Sequence, residues 1–384
     1  MIDGWMGQSA LDCKGYLLRS DVNAAPTEVC ARVLEQLGLA DLLPVVITEG
    51  GCDDQGGFVT LRMRPQYVHQ WAAGLDTLKV ASILQLDTLG SVQDLTREIV
   101  VCMLMCPVAY EFPSVDELIS AVRIRINTVL AARKTTLAFH TVEVNRPTDC
   151  WRYDEDRGFV ILPGASLIQS LAKATQPEVS GSLYSFSCYR ASEYLILLGI
   201  AQELEHCNPD LYAQLQTMWA EHPIKSGMFH DVFLREQGTM AQPLPPRFFV
   251  PGDRTWFRNP DEASADASGF EGSWVMYLGN GLFNNFWKRD QPYTLIDKCL
   301  EIYHWRHGLF KDAQGEERID EARVEQLVQA SRADPAEVLR IAAYMQRYRE
   351  PRGVYTAAGG CMDTTREFAR WVRPGTADLV LPAY

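Results

Sequence analysis

The chain has 384 residues and a formal net charge of -13 at pH 7. Hydrophobic residues make up 47% and charged residues 22%, which is typical of a folded soluble protein that can bury a sizeable core. The acidic balance argues against broad binding to nucleic acids or to anionic membranes.

The cysteines and the apolar runs bear on where the protein works. The ten cysteines are scattered, and none forms a C-x-x-C pair. The first residues lack the basic start and the apolar stretch of a signal peptide. The longest apolar run, 99–110, is too short to span a bilayer. The sequence therefore predicts a cytoplasmic protein with free thiols.

The first part of the chain mixes helical and strand patterns. Residues 27–43 carry apolar side chains at helical spacing, whereas 58–63 follow a Gly-Gly pair like a strand leaving a turn. These patterns predict a small α+β extension over residues 1–95.

A helix start is predicted at Ser114. Glu117 follows three residues later, which is the spacing of a capping box, and an apolar stripe follows it. Further on, a short apolar run at 159–162 leads to a helix predicted over 165–174.

The segment around Cys188 predicts a second long helix. Serines precede the cysteine, and a long apolar helical pattern follows it, so we expect the helix to begin close to Cys188. Three strand candidates come later, at 247–258, 274–278 and 282–284, and the last two are joined by a Gly-Asn-Gly hairpin turn.

The end of the chain is predicted to be mostly helical. A helix is expected over 293–307, and Asp334-Pro335 is a good cap-plus-N1 start for another. The predicted division is therefore an extension over 1–95, a central domain over 96–310 and a helical C-terminal appendage over 311–384.

A cysteine at a helix start can serve as a nucleophile. The reactive form is the thiolate, and the unpaired N–H groups and dipole of a helix N-terminus stabilise it. Papain-like hydrolases and acyltransferases combine such a cysteine with a sheet that carries the base. The alternative is a packed core cysteine, which is the commoner role of a cysteine near a helix end.

Short motifs over the middle of the chain occur in the order found in one family. They resemble the spore-coat type of bacterial protein-glutamine gamma-glutamyltransferase, within the papain-like, NlpC/P60-like superfamily. The segments that carry the resemblance are 110–118, 157–159 with 163–166, 185–191, 249–253 with 256–261, and 272–282.

The resemblance implies a fold and an activity. The fold is α+β, with a papain-like core in which the nucleophile helix packs on an antiparallel sheet. The activity is acyl transfer, in which the thiolate of Cys188 attacks a glutamine carboxamide, ammonia leaves and an amine resolves the thioester. The implied partners are a protein, peptide or carrier-bound acyl substrate and an amine acceptor. The oligomeric state stays open, and no metal or organic cofactor is indicated.

The chain departs from the family pattern at the partners of the cysteine. The family has a glutamate just before the cysteine, where this chain has Ser187, and a second glutamate where it has Ser273. The family's histidine falls near Asn284 and Asn285. We expect these four residues and Trp274 to line the site.

Two interpretations of the departures remain open. In the first, the base has moved: Glu271 is the candidate acid/base because residues two apart on a strand share a face, and His304 and His307 are further candidates. In the second, the site has lost gamma-glutamyl chemistry and acts as a hydrolase or deamidase, or as a binding or scaffold module. In either case the backbone N–H of Cys188 is a candidate oxyanion donor.

The dense aromatic residues of the strand region also allow two roles. Trp256, Phe257, Trp274 and Tyr277 belong to this group. They either pack the sheet or form a tunnel that excludes water from a thioester.

Overall fold

The structure, a computed structural model, describes residues 12–20, 24–139 and 144–383. Residues 1–11, on which the expectation about a signal peptide depends, lie outside the described residues.

Helices and strands alternate irregularly along the chain, as an α+β fold requires. The helices are α1 (Pro26–Gln36), α2 (Pro65–Trp71), α3 (Val80–Ile83), α4 (Val92–Leu104), α5 (Val115–Lys134), α6 (Leu167–Thr175), α7 (Pro177–Ser180), α8 (Cys188–Cys207), α9 (Pro209–Glu221), α10 (Ser226–Phe233), α11 (Glu262–Ala265), α12 (Leu295–Gly308), α13 (Glu321–Arg332) and α14 (Pro335–Met345), with short 3-10 helices at Ala40–Val45, Ala73–Leu75 and Thr77–Lys79. The strands are β1 (Tyr16–Leu18), β2 (Val46–Asp53), β3 (Gly56–Met63), β4 (Tyr110–Phe112), β5 (Ala138–Phe139), β6 (Trp151–Asp154), β7 (Gly158–Ile161), β8 (Ser185–Phe186), β9 (Leu234–Gln237), β10 (Arg254–Arg258), β11 (Gly272–Gly279), β12 (Leu282–Phe283), β13 (Tyr293–Thr294), β14 (Leu309–Lys311), β15 (Glu317–Ile319) and β16 (Arg366–Ala369).

A four-stranded sheet occupies the N-terminal part, in the order β2-β3-β1-β4. Strand β1 pairs antiparallel with β3 and parallel with β4. The strand predicted at 58–63 is confirmed as part of β3, and helices α1 and α4 pack on this strand. Because β4 lies at 110–112, the N-terminal extension shares its sheet with residues that the sequence analysis assigned to the central domain.

A six-stranded sheet forms the centre, in the order β13-β12-β11-β10-β16-β9, and its neighbouring strands pair antiparallel. Strand β16 comes from 366–369, within the segment expected to be a helical appendage. Helices α13 and α14 confirm the helical part of that expectation, but the chain then returns and inserts a strand between β10 and β9. The three-domain division itself stays a prediction.

The strand predicted at 247–258 is correct only in its second half, β10. In the first half, the backbone N–H of Phe249 donates to Thr77 Oγ1 at 2.7 Å, and that of Val250 donates to Asp253 Oδ2 at 2.7 Å. These backbone groups therefore bond to side chains and not to a neighbouring strand. Asp253 also accepts from the buried Arg125 of α5 at 2.7 Å, so the turn before β10 is tied to that helix.

Helix α5 starts as predicted, but its capping box is only half formed. Ser114 Oγ accepts from the backbone N–H of Glu117 at 3.1 Å. The Glu117 carboxylate instead accepts from the backbone N–H groups of Val372 and Arg373, at 3.0 and 2.7 Å, and is buried. It fastens the chain end after β16 to the start of α5.

Helix α8 packs between α5 and the central sheet, which is the nucleophile-helix arrangement expected for this α+β fold. It begins at Cys188 because Ser187 Oγ accepts from the backbone N–H of Arg190 at 3.2 Å. Every residue from 191 to 201 is buried, so the helix is a core element whose start is held in place.

The contact between α5 and α8 requires a glycine. A Cβ atom at Gly199 would lie 2.3 Å from Thr128 Oγ1 and 3.1 Å from the Ile124 carbonyl oxygen. The helices could not come this close with a larger residue at this position.

We predict that Gly199→Ala lowers the free energy of unfolding by about 1–3 kcal/mol, because the overpacking outweighs the better helix propensity of alanine. Gly227→Ala in α10 is the matched control, since a Cβ there meets nothing within 4 Å. The control should leave stability unchanged or slightly higher. Denaturant unfolding of the two variants measures the difference, and equal stability in both would contradict the close packing.

Candidate active site

Cys188 lies at an open edge of the central sheet. It is the first residue of α8 and is partly exposed. The backbone N–H of Trp274, in β11, lies close enough to its thiol to lower the pKa of Cys188. The thiol therefore occupies a place that a neighbouring strand would otherwise take.

The edge is open there because β12 is short. The pairing of β11 with β12 ends at Phe283, and the next residue, Asn284, bonds with Met276 through its backbone N–H at 3.0 Å and its side-chain Oδ1 at 2.6 Å. Since N–H groups alternate in direction along a strand, those of Met276 and Trp274 face the same edge. The first donates to Asn284 Oδ1, and the second lowers the pKa of the Cys188 thiol.

The surroundings of the Cys188 thiol have opposite effects on its ionisation. Burial raises the pKa of Cys188 above its ordinary value, and this is the largest effect. The Trp274 N–H and the ammonium of Lys298 act in the opposite direction and lower the pKa. The thiolate thus has stabilising partners in the Trp274 N–H, the Lys298 ammonium and the N–H groups of the first turn of α8, in a site that otherwise favours the neutral thiol.

Lys298 is a functional candidate that the sequence analysis missed. Its side chain is 4% exposed, its Nζ lies 2.9 Å from Glu301 Oε2, and it sits 3.8 Å from the centre of the Tyr293 ring. Burial on its own lowers the pKa of Lys298, but Glu301 and Tyr293 hold it above the ordinary value, so the side chain is a cation. Lysine stands in the apolar stripe of α12, and that misfit was the available signal in the sequence.

The aromatic residues around the cysteine form a half-buried cluster. The Trp274 ring stacks on Trp256, with centres 6.1 Å apart, and meets Tyr189 of α8 at 5.2 Å. The buried Arg254 guanidinium lies 4.3 Å from the Trp274 ring and 3.4 Å from Ser192 Oγ, one turn after Cys188. These contacts hold the first turns of α8 on the sheet.

The predicted aromatic group therefore divides in two. Phe257 and Tyr277 are fully buried in the core between the sheet and α12, as sheet packing requires. Trp256 and Trp274 are only partly buried and lie beside Cys188, as a wall of the site would.

The two serines at the expected carboxylate positions have different places. Ser187 caps α8 and borders a pocket of about 360 Å³ whose lining includes Arg146, Arg157 and Lys225. Ser273 pairs with Phe257 in the β10–β11 register. By strand alternation it shares the face of Val275, which packs towards α12, and not the face of the Trp274 side chain.

Glu271 is exposed and lies just before β11. Its carboxylate accepts from the backbone N–H of Gly269 at 3.4 Å, and its carbonyl accepts from Asn259 N–H at 3.0 Å. Among the contacts of the described residues, none joins the Glu271 side chain to Cys188. Its role as acid/base stays a prediction.

The two histidines considered as alternatives face another part of the molecule. His304 Nε2 lies 2.8 Å from Ser331 Oγ, and its Nδ1 lies 3.0 Å from His307 Nδ1. Burial lowers the pKa of His304 to about 4, so its imidazole is neutral. Both side chains belong to the packing of α12 against α13.

The two asparagines at the family's histidine position also differ. Asn285 uses its whole amide within its own loop: it donates to Gln291 and accepts from the backbone N–H groups of Trp287 and Lys288. Asn284 uses only Oδ1, because its buried Nδ2 has no hydrogen-bond partner among the described residues.

One cluster in the described part of the chain has the donor set of a metal site. Ligand atoms of His230, Glu236 and Glu367 lie within 4.8 Å of one another. His230 Nδ1 is 2.8 Å from Glu367 Oε1, and Arg254 also pairs with Glu367. Glu367 is therefore bound in ion pairs that position Arg254 against the Trp274 ring.

The comparison with protein families shows the family to which the chain belongs. The family model of protein-glutamine gamma-glutamyltransferase matches residues 79–379, more than three quarters of the sequence. The chain belongs to this family. Membership supports a role as a transglutaminase-like acyltransferase enzyme, and the match includes the C-terminal segment that carries β16.

Two further comparisons were made. Among solved structures, the chain is similar to the transglutaminase from Geobacillus stearothermophilus without its C-terminal extension, with 19% identity over 56% of this chain and 98% of that chain, and a TM-score of 0.38. The comparison with curated proteins gave no match. Helices in the described part of the chain are all too short or too polar to cross a lipid bilayer.

We predict that Lys298→Met raises the pKa of the Cys188 thiol further, because the thiolate loses its cationic partner. A thiol with a higher pKa ionises only at higher pH, so alkylation of Cys188 by iodoacetamide should slow at mildly alkaline pH. Peptide mass spectrometry over a pH series measures this rate. Lys311→Met, at an exposed lysine of β14, is the control and should behave as wild type. Identical pH profiles for the two variants would contradict the pairing.

Proposed function

We propose that this transglutaminase transfers the acyl group of a glutamine side chain to a primary amine through a thioester on Cys188. The observation that carries the proposal is the position of the thiol. It stands at the start of α8, beside the N–H of Trp274 at the open edge of β11. A cysteine that only packs in the core would be expected among apolar side chains, and not beside a backbone N–H at a partly exposed sheet edge.

We infer that Lys298 replaces the carboxylates and histidine of the family pattern. Its ammonium stabilises the thiolate during attack, in which the sulphur–carbon bond forms and the carbonyl electron pair moves to oxygen. When the carbon–nitrogen bond breaks, Lys298 donates a proton and ammonia leaves. The incoming amine then attacks the thioester and gives its surplus proton back to Lys298, and the thiolate departs. Atoms and charges balance over the cycle.

The acyl donor is a glutamine of a protein or peptide, and the acceptor is a primary amine such as a lysine side chain. The pocket of about 360 Å³ beside Ser187 gives the donor a place next to the start of α8. The half-buried Trp256 and Trp274 shield the thioester from water, which favours amine over hydrolysis. A cytoplasmic setting suits a free thiol nucleophile and stays a prediction.

A competing function rests on one observation. Burial raises the pKa of the Cys188 thiol, and the carboxylates at 187 and 273 are missing, as they would be in a module that retains the fold only to bind a protein. In a hydrolase or deamidase, water would take the place of the amine. Both alternatives can be distinguished from acyl transfer by the fate of the glutamine.

We predict that wild-type protein incorporates a fluorescent primary amine into a glutamine-rich acceptor protein and that Cys188→Ala abolishes this incorporation, because the thioester cannot form. Cys207→Ala, at the far end of the same helix, is the matched control and should keep the activity. In-gel fluorescence and the release of ammonia are measured together.

Other outcomes would overturn parts of the proposal. Ammonia release without amine incorporation would identify a deamidase, and neither product from a folded wild-type protein would leave the binding module. Full incorporation by Cys188→Ala would contradict the assignment of the nucleophile.

A further inference from the structure

We propose that Asn284 donates the hydrogen bond that stabilises the oxyanion formed at Cys188; the inference builds on the proposed acyl transfer. The strand edge carries the argument. The N–H groups of Met276 and Trp274, two residues apart on β11, are separated by about 6.6 Å along the edge. Asn284 Oδ1 accepts from the first. The second lowers the pKa of the Cys188 thiol, and the ring of the next residue, Tyr189, lies 5.2 Å from the Trp274 ring. The asparagine amide and the nucleophile are therefore neighbours on one edge.

The orientation of the amide is fixed by its partner. The backbone N–H of Met276 can only donate, so the atom 2.6 Å from it is the oxygen of the Asn284 amide. The amide nitrogen must then be the free end of the side chain. An Asn or Gln amide is often ambiguous in orientation, but this one is not.

A buried amide nitrogen without a hydrogen-bond partner costs free energy, and a hydrogen bond to a ligand would recover it. Asn284 is 4% exposed, and its Nδ2 is buried without a hydrogen-bond partner among the described residues. An unsatisfied buried donor costs about 1–3 kcal/mol. Its neighbour Asn285 satisfies its donor and acceptor within one loop, so the two adjacent asparagines differ in this respect. A donor left free in the ground state is available for charge that appears only during reaction.

The chemistry of the thioester supplies that charge. Attack of the Cys188 thiolate turns the trigonal carbonyl carbon of the donor tetrahedral, and the carbonyl electron pair becomes an oxyanion next to the sulphur. Asn284 Nδ2 and the backbone N–H of Cys188 then offer two donors of the usual kind. The same two donors serve when the amine attacks the thioester.

The test is Asn284→Asp, which keeps an oxygen for the Met276 N–H, removes the donor and, when ionised, adds a negative charge near Cys188. We expect kcat for amine incorporation to fall about 10²–10³-fold with KM nearly unchanged, because an oxyanion donor acts in the transition state. Alkylation of Cys188 by iodoacetamide forms no oxyanion, and in Asn284→Ala, which removes the donor without adding a charge, it should keep its wild-type rate. Activity relative to wild type should recover partly as pH falls, since a protonated carboxyl group can donate.

Asn208→Asp is the matched control. Asn208 is a buried asparagine that caps α9 just after the far end of α8 and donates to the Val372 carbonyl at 2.8 Å, so the substitution adds the same buried carboxyl group at a place remote from Cys188. It should leave kcat unchanged. If Asn284→Asp does not fold, Asn284→Ala is measured in its place with the same expected loss of kcat.

The outcomes separate this inference from the proposed function. A folded Asn284 variant with wild-type kcat, or an Asn284→Ala variant that loses alkylation and kcat in parallel, would overturn the donor role. A second assay, the burst of p-nitrophenol from p-nitrophenyl acetate, reports acylation of Cys188 without amine transfer. A wild-type burst that Asn284→Asp slows would support the donor even if amine incorporation failed. No burst and no incorporation in wild type would overturn both proposals.

Discussion

The site depends on the interaction between the backbone N–H of Trp274, at the edge of β11 that β12 leaves open, and the Cys188 thiol. A buried strand edge needs an acceptor for each N–H, and here the strand that would supply it stops after Phe283. The Cys188 thiol takes that place. It can do so because α8 starts at this level of the sheet, with its first turn capped by Ser187.

Several buried charges hold the helix and the sheet in this relation. Arg125 of α5 pairs with Asp253 before β10, and Arg254, the next residue, pairs with Glu367 of β16 and reaches Ser192 of α8. A buried ion pair adds little net stability, but the loss of one partner is costly, so such pairs fix geometry. The C-terminal strand is therefore part of the scaffold of the site.

The absent carboxylates change the electrostatics of the chemistry. A carboxylate base beside a thiol accepts its proton, whereas a lysine cation stabilises the thiolate and can donate to a leaving group. Glu301 and Tyr293 contact the Lys298 ammonium and position it on the α12 side of the sheet. In the proposed mechanism, Lys298 and Asn284 supply positive charge and a neutral donor where the family pattern has negative charge.

The sequence predicted those parts of the fold that local chemistry determines. The cap at Ser114, the start of α8 at Cys188 and the Gly-Asn-Gly hairpin were all within reach, because each depends on residues close together in the chain. In the hairpin, Asn280 and Gly281 have φ of 52° and 73°, as the short turn needs.

The remainder depends on long-range contacts. Strand β16 is recognised only by its partners β9 and β10, and residues 247–250 look like a strand but bond to Thr77. The charge of Lys298 acts on the Cys188 thiol from a helix that begins more than a hundred residues later. No local pattern connects Lys298 with Cys188, although a lysine in an apolar helix stripe indicated a buried side chain with a specific role.

The most direct test of the account is to trap the acyl-enzyme. The protein is mixed with a glutamine-containing peptide donor and no amine, quenched in acid, and its cysteine peptides are analysed by mass spectrometry. The account predicts that the donor acyl group is attached through Cys188 and that one ammonia is released for each thioester. Release of ammonia from the donor with an unmodified Cys188 peptide, or an adduct on another cysteine, would contradict it.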